Sequence, residues 1–268
     1  IHQDNPLSHR PRKRFGQNFL HDNSVIEHIL AMIDPKPADH LVEIGPGQGA
    51  LTKGLLQRAG KLDAIELDRD LLDALRRLGE RFGELCLFEA DALSFDFRAL
   101  KTDHRRLRLV GNLPYNISTP LLFHLIEQAD VIHDMHFMLQ KEVVDRMAAP
   151  PGSKTYGRLS VMLQISCTVT PLFDIGPEAF APPPKVESSV VRLVPLARPL
   201  VARTEIAGFA ALVSAAFAHR RKTLRNNLKG LLDAERIAAL GIDPGLRAES
   251  LPVSELIRLH QAADQARA

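Results

Sequence analysis

The chain has 268 residues, 45% apolar and 25% charged, a globular mix that excludes disordered, collagen-like and disulfide-scaffold classes. At roughly 100 to 200 residues per domain, that length fits one large domain or two unequal ones. Net charge is +2, from 34 Lys and Arg against 32 Asp and Glu, so affinity for a polyanion has to come from where charges lie rather than from their sum.

The first residues are polar and basic, with Arg10, Arg12, Lys13 and Arg14 close together. No apolar run approaches the roughly 18 residues of a membrane span, and no charged-then-apolar leader is visible, so a cytoplasmic protein without a membrane partner is expected. Asp22 is the expected cap of a helix whose apolar face carries Val25, Ile26, Ile29, Leu30 and Ile33. From there to about residue 136, helix-period segments alternate with short apolar runs, the pattern of repeated βα units around a parallel sheet. Strands are predicted over 40–44, 61–65, 84–88, 106–110 and 135–139, and helices over 51–59, 69–82, 118–129 and 141–149. Ser118 is the expected cap of the third of these helices, and Pro120 sits in its first turn, where proline is tolerated.

The rhythm changes after residue 150. Residues 159–173 and 186–196 are rich in β-branched side chains and predict an antiparallel pair at the sheet edge. Beyond Pro195 and Pro199 the pattern is helical, over 204–218, 219–231, 234–240 and 254–263. The predicted fold class is α/β, a Rossmann-like domain over residues 1–197 followed by a small all-α domain over 198–268. Cys86 and Cys167 lie in apolar stretches without ligand spacing and are expected as buried, reduced thiols; His133 and His136 likewise lack further ligands, so no metal site is predicted.

A strand running into Gly45-Pro46-Gly47-Gln48-Gly49 lets backbone approach a ligand without a Cβ in the way. Glu66 ends the next strand, where a carboxylate can accept hydrogen bonds from ribose hydroxyls, and Asp91 follows the strand after that, where it can meet an adenine amine or simply cap a turn. Residues 45–50 also fit the dinucleotide fingerprint, which keeps a nicotinamide cofactor open. Glu43 argues against a pyrophosphate and suits a cationic amino acid moiety such as that of S-adenosylmethionine.

Asn112-Leu113-Pro114-Tyr115 ends the next strand. The exocyclic amine of adenine is a poor nucleophile because its lone pair is delocalised into the ring. Acceptors holding both N–H groups pull the nitrogen toward a tetrahedral shape and release that lone pair. Asn112 offers one acceptor, a backbone carbonyl of the Leu113-Pro114 turn a second, and Tyr115 a stacking face worth about 1–3 kcal/mol per base. The plainer alternative is a strand-to-helix turn punctuated by Asn and Pro.

These residues, with Glu66-Leu67-Asp68, resemble the S-adenosylmethionine-dependent N6-adenine methyltransferases. The segments at 12–20, 116–120, 180–186 and 220–226 narrow the resemblance to the KsgA family of small-subunit rRNA dimethyladenosine transferases, over residues 10 to 260. The resemblance implies S-adenosylmethionine as cofactor, held by Asn18, Leu20, Gly45, Glu66, Asp91 and Asn112. It implies transfer of two methyl groups to N6 of each of two adjacent adenosines in the 3′-terminal hairpin of 16S rRNA, in the immature small ribosomal subunit. The target base would meet Asn112, Leu113, Pro114 and Tyr115, with Phe180 as a second stacking surface opposite Tyr115. Read without the family, the favoured reading of Phe180 is a hydrophobic plug beneath the loop, although an aromatic held before Pro182-Pro183-Pro184 would also be fixed as a stacking platform should be.

Arg220, Arg221, Lys222, Arg225 and Lys229 stand together without an acidic neighbour. On one continuous helix Arg221, Arg225 and Lys229 would line one face and Leu224, Leu228 and Leu231 another, so contact with an RNA backbone is expected there, extended by Lys185. A large-subunit rRNA adenine dimethylase of the resistance type and a non-catalytic assembly factor remain as rival readings. A chain of this size gives no reason to expect more than a monomer.

Overall fold

Nine strands and ten α-helices occupy residues 18–265, which the computed structural model describes. The strands are Phe19–Leu20 (β1), His40–Ile44 (β2), Lys61–Glu66 (β3), Glu84–Glu89 (β4), Leu107–Asn112 (β5), Ile132–Gln140 (β6), Cys167–Ile175 (β7), Phe180–Ala181 (β8) and Ser188–Pro195 (β9). The helices are Asn23–Ile33 (α1), Thr52–Ala59 (α2), Arg69–Phe82 (α3), Ser118–Ile126 (α4), Lys141–Ala148 (α5), Arg158–Gln164 (α6), Ile206–Ala216 (α7), Leu224–Asn227 (α8), Ala234–Ala239 (α9) and Val253–Gln265 (α10). Seven strands form one sheet in the order β4-β3-β2-β5-β6-β9-β7, and β1 pairs with β8 in a separate two-stranded ribbon.

β2 to β6 run parallel and β9 turns antiparallel against β6, so the sheet is Rossmann-like with a reversed edge. The order reverses across β2 and β5, and in such sheets the crevice beyond the strand C-termini is where ligands bind. At the other end of the strands Arg108 bridges Asp39 at 2.6 Å and Asp134 at 2.9 Å, and Asp134 also pairs with Arg192 at 3.1 Å. Asp134 is fully buried, so its charge depends on these two arginines for its ion pairs. α1 begins as the sequence predicts, with the Asp22 carboxylate accepting from the Ser24 and Val25 N–H groups at 2.8 and 3.3 Å.

The described residues divide into two compact units, one up to Val144 plus Thr170–Pro195, the other Asp145–Val169 plus the described residues from Leu196. A boundary at 197/198 therefore assigns residues 145–169 differently from the structure. Residues 158–164 form α6, not the start of a strand. Leu159, Val161, Met162 and Leu163 are all buried, and a continuous apolar run carries no periodicity to separate a buried helix from a buried strand. Ser160 starts the helix by accepting from the Gly157 N–H at 3.1 Å and donating to the Arg146 carbonyl. The Leu196 and Leu200 N–H groups then donate to Ser166 and Ile165 carbonyls, both at 2.8 Å, tying that segment into the helical unit.

Other expectations need correction. Residues 219–231 are mostly turns, with only α8 helical. Asn227 breaks the continuity, because its amide donates to the Ala216 and His219 carbonyls at 2.7 and 3.1 Å and folds the chain back. Of the predicted apolar seam Leu224 and Leu228 are buried, Leu231 is only half-buried, and Leu232 is buried next to it. α4 is capped at Ile117 rather than by the Ser118 side chain, which donates instead to the Tyr115 carbonyl at 3.1 Å. Cys167 is buried as expected, whereas Cys86 lies on the outermost strand, β4, and is exposed.

Candidate active site

The residues linking strand ends to the following helices on β2, β3, β4 and β5 line one cavity of about 300 Å³, at the lower end of the roughly 300–1,000 Å³ usual for small-molecule sites. β2 enters it through the Gly45 N–H, which extends the ladder by donating to the Ile65 carbonyl at 2.9 Å. Gly45, Gly47 and Gly49 then take φ of 66°, 58° and 82°, a left-handed path that side-chain-bearing residues resist. At Gly47 a Cβ would also lie 3.2 Å from the Phe19 ring, so glycine there lets β1 close over the loop.

Glu66 organises this loop. Its carboxylate accepts from the Gly47 N–H at 3.0 Å and from the Asp68 N–H at 2.8 Å, which locks the side chain at the cavity wall. Burial raises its pKa, and the two backbone donors oppose that rise. Glu43 stands on β2 at 2% exposure and accepts from the Thr52 hydroxyl at 2.6 Å. Burial, reinforced by the Glu66 charge and opposed by Thr52, pushes its pKa up to about 8. Asp68 and Asp91 complete the acidic wall; Asp91 is exposed at the rim and also caps its turn by accepting from the Leu93 N–H at 2.9 Å. No described lysine, arginine or histidine lines the cavity. A pyrophosphate would face the Glu66, Asp68 and Asp91 carboxylates and the buried Glu43 carboxyl with no basic side chain among the described lining residues, which argues against a dinucleotide and suits a positively charged ligand.

Asn112 ends β5 at the cavity wall, followed by Leu113, Pro114 and Tyr115. The Asn112 side-chain nitrogen donates to the Asn18 carbonyl at 3.0 Å. A carbonyl can only accept, so the nitrogen end of the amide is committed to the protein and the oxygen end is the one offered to a ligand. The Leu113 N–H donates to the Met138 carbonyl at 3.2 Å and the residue, buried, lines the cavity. The Tyr115 hydroxyl lies 2.7 Å from the Ser188 hydroxyl, and burial raises the phenol pKa.

The cavity thus brings together Asn18, Leu20, Gly45, Glu66, Asp91, Asn112, Leu113, Pro114 and Tyr115. Phe180 is different. It does not line the cavity: it is 2% exposed and belongs to the same buried cluster as Leu20, Ile175 and Ala179. Its register opposite Leu20 in the β1–β8 ribbon accounts for that placement. Lys185 is exposed in the same unit as the cavity, whereas Arg220, Arg221, Lys222 and Arg225 are exposed in the other. Arg220 is committed to Glu249 at 2.9 Å. Arg10, Arg12, Lys13 and Arg14 lie outside the described residues. Sequence reasoning did not find Thr52 or Ser188; the Ser188–Tyr115 pair is 73 residues apart and exists only because β9 folds back along β6.

A Rossmann-like sheet whose crevice carries a glycine loop, an acidic wall and an Asn-Leu-Pro-Tyr turn defines a methyltransferase of the adenine-amine class. The model of the family described as ribosomal RNA adenine dimethylase matches residues 8–265, and the chain belongs to that family. It is 58% identical over 253 residues to the ribosomal RNA small subunit methyltransferase A of Methylococcus capsulatus, covering 94% of this chain and 98% of the relative. It is 54% identical over 262 residues to the protein of the same name in Pseudomonas putida, covering 97% and 98%. Among solved structures, a dimethyladenosine transferase from Plasmodium falciparum superposes with a TM-score of 0.80 at 25% identity, over 92% of this chain and 98% of that one. The 23S rRNA methyltransferase ErmE shares the fold, with a TM-score of 0.73 at 24% identity over 92% and 100%. The chain is therefore an rRNA adenine dimethyltransferase.

Proposed function

We propose that the chain uses S-adenosylmethionine to dimethylate N6 of two adjacent adenosines in the 3′-terminal hairpin of 16S rRNA, acting on immature small subunits as a cytoplasmic monomer. The observation that carries the cofactor is the cavity wall of four acidic side chains, the buried Glu43 carboxyl among them, with no basic side chain among the described lining residues, which suits a sulfonium and an ammonium and repels phosphate. The relatives named for the small subunit match over nearly their full length at more than half identity, which favours that subunit over the 23S substrate of the ErmE neighbour. Among the described residues no helix is long and apolar enough to cross a membrane.

When bound, the cofactor supplies an electrophilic methyl group, and the chain supplies position. Glu66 accepts from the ribose hydroxyls through lone pairs that Gly47 and Asp68 do not use, Asp91 faces the adenine edge, and Asn18, Leu20 and Gly45 line the cavity beside them. The target adenine is unstacked from its loop and its ring lies on Tyr115. The Asn112 side-chain oxygen accepts from the amine, and a backbone carbonyl of the 113–114 turn accepts from its second N–H. No covalent enzyme intermediate is needed, and the amine loses a proton to solvent at each transfer. Monomethyladenosine retains one N–H, so the same acceptors serve a second round. Arg221, Lys222, Arg225 and Lys185 contact the rRNA backbone.

The test is to incubate the protein with methyl-labelled S-adenosylmethionine and unmethylated small subunits, with large subunits and Asn112→Ala as controls, and to map modified nucleosides by mass spectrometry. Adjacent dimethyladenosines in small-subunit rRNA alone, lost in the variant, support the reading. Tight subunit binding without methyl incorporation refutes it in favour of a non-catalytic assembly factor.

A further inference from the structure

Ser188 is the first residue of β9, fully buried, and outside the wall of the cavity. It is fixed by the sheet, opposite Gln140 at the end of β6, and next to it the Glu187 carbonyl accepts from the Lys141 N–H at 3.0 Å. Among the described residues its hydroxyl has one hydrogen-bond partner, the Tyr115 hydroxyl at 2.7 Å. Tyr115 itself sits in a turn closed by the Ile117 N–H on the Pro114 carbonyl at 3.2 Å and by the Ser118 hydroxyl on its own carbonyl. A tyrosine ring reaches its hydroxyl through two torsions. Holding the backbone at one end and the oxygen at the other fixes the first torsion; the oxygen lies on the axis of the second, but a phenol O–H and its lone pairs are directed by conjugation with the ring, so a hydrogen bond to the hydroxyl also favours one ring plane.

We propose that Ser188 is a positioning residue for adenine methylation, which acts by holding the Tyr115 hydroxyl and so fixing the ring face on which the target base stacks. This rests on the reading of Tyr115 as the base contact. The bond contributes because stacking depends on the plane of the ring, and because the reacting nitrogen has to meet the methyl group in one geometry, where an error of about 1 Å can cost about a hundredfold in rate. A hydroxyl on a sheet strand is a stiffer anchor than water, which would let the ring tilt.

The test is a double-mutant cycle on methyl transfer to unmethylated small subunits, with Ser188→Ala, Tyr115→Phe and the pair, alongside Tyr115→Ala and Ser188→Thr. Ser188→Ala and Tyr115→Phe are each expected to lower kcat by about 3- to 10-fold with the KM for the cofactor unchanged, since each removes one neutral hydrogen bond. The double variant is expected to fall no further than the worse single one, and Ser188→Thr to restore the rate. If Ser188→Ala costs the same factor with and without the tyrosine hydroxyl, it acts through general packing and the proposal fails. If Tyr115→Ala is crippled while Ser188→Ala turns over like the parent, the base-contact reading stands and only the role of Ser188 falls. A fully active Tyr115→Ala overturns the base-contact reading and this one with it. Should Ser188→Thr not fold, the cycle alone decides.

Discussion

The carbonyl of Asn18 and the side-chain nitrogen of Asn112 are joined by a 3.0 Å hydrogen bond across 94 residues of chain. That bond sets which end of the Asn112 amide meets a substrate, so the segment leading into β1 helps assemble the reactive turn. β1 is in turn held by β8, with Leu20 opposite Phe180.

Asn112→Ala removes the side-chain acceptor and leaves the Asn18 carbonyl without this donor. Methyl transfer is expected to fall by about 100-fold or more, the scale seen when one group aimed at developing charge is deleted. Cofactor affinity should change far less, and thermal unfolding should stay near that of the parent protein. Single-turnover rates and cofactor titration separate the two; a variant that binds cofactor normally and methylates at more than a third of the parent rate would sink this assignment.

Glu43 makes stability depend on pH. Its carboxyl is held up to about 8 in the fold, chiefly by burial, against an ordinary value of 4.5. A group that is harder to ionise in the folded state favours folding while it is protonated in both states, below about pH 4.5, and that advantage drains away as pH climbs to about 8. Glu43→Gln keeps an acceptor for the Thr52 hydroxyl and cannot ionise. The melting temperature of the parent should therefore fall relative to the variant between about pH 5 and pH 8. In the same window the parent should bind S-adenosylmethionine more tightly as pH rises, because a nearby cation favours the ionised carboxylate, while the variant stays flat. Parallel melting curves for the two proteins would contradict the assignment.

Much of this was legible in the chain, and the gaps have physical causes. The glycine loop and the acids at strand ends could be read because each function sits on one short segment with its own backbone demand. The 45–49 turn needs left-handed φ, and the carboxylates follow runs that can only be strands. The Asn112 turn was legible for the same reason. The burial of Phe180 was not legible, because a local sequence cannot tell which way a residue faces in a two-residue strand; it depends on pairing with Leu20 of β1, 160 residues earlier. The helix expected over 219–231 failed because Asn227 redirects the chain with long-range side-chain bonds that periodicity does not register. Residues 159–166 show the opposite problem, with every side chain but Gln164 buried and no stripe to count.

Glu66→Gln is nearly isosteric, yet it is expected to weaken cofactor binding by about 10-fold or more. Both carboxylate oxygens accept from backbone N–H groups, of Gly47 and Asp68, and an amide has only one oxygen to offer. One N–H would then face an NH₂ group, a mismatch at a buried donor that costs about 1–3 kcal/mol. Isothermal titration with S-adenosylmethionine measures this directly. Affinity unchanged from the parent would mean that the loop holds its shape without Glu66.

The basic residues of the helical unit divide by what already holds them. Arg220 is tied to Glu249 at 2.9 Å and also donates to the Lys154 carbonyl, so it acts mainly as a fastener within its own unit. Arg221, Lys222 and Arg225 are exposed, and their charge is available to phosphate. Replacing Arg221 and Arg225 together by alanine should weaken binding to the small subunit and reduce the slope of log affinity against log salt by about one unit or more. Melting temperature should hardly move, because exposed charges contribute little to folding. Arg220→Ala should leave the salt slope close to that of the parent and lower the melting temperature only slightly, since its pair with Glu249 is itself largely exposed. Equal salt slopes in all three proteins would place the rRNA contact on another face of the chain.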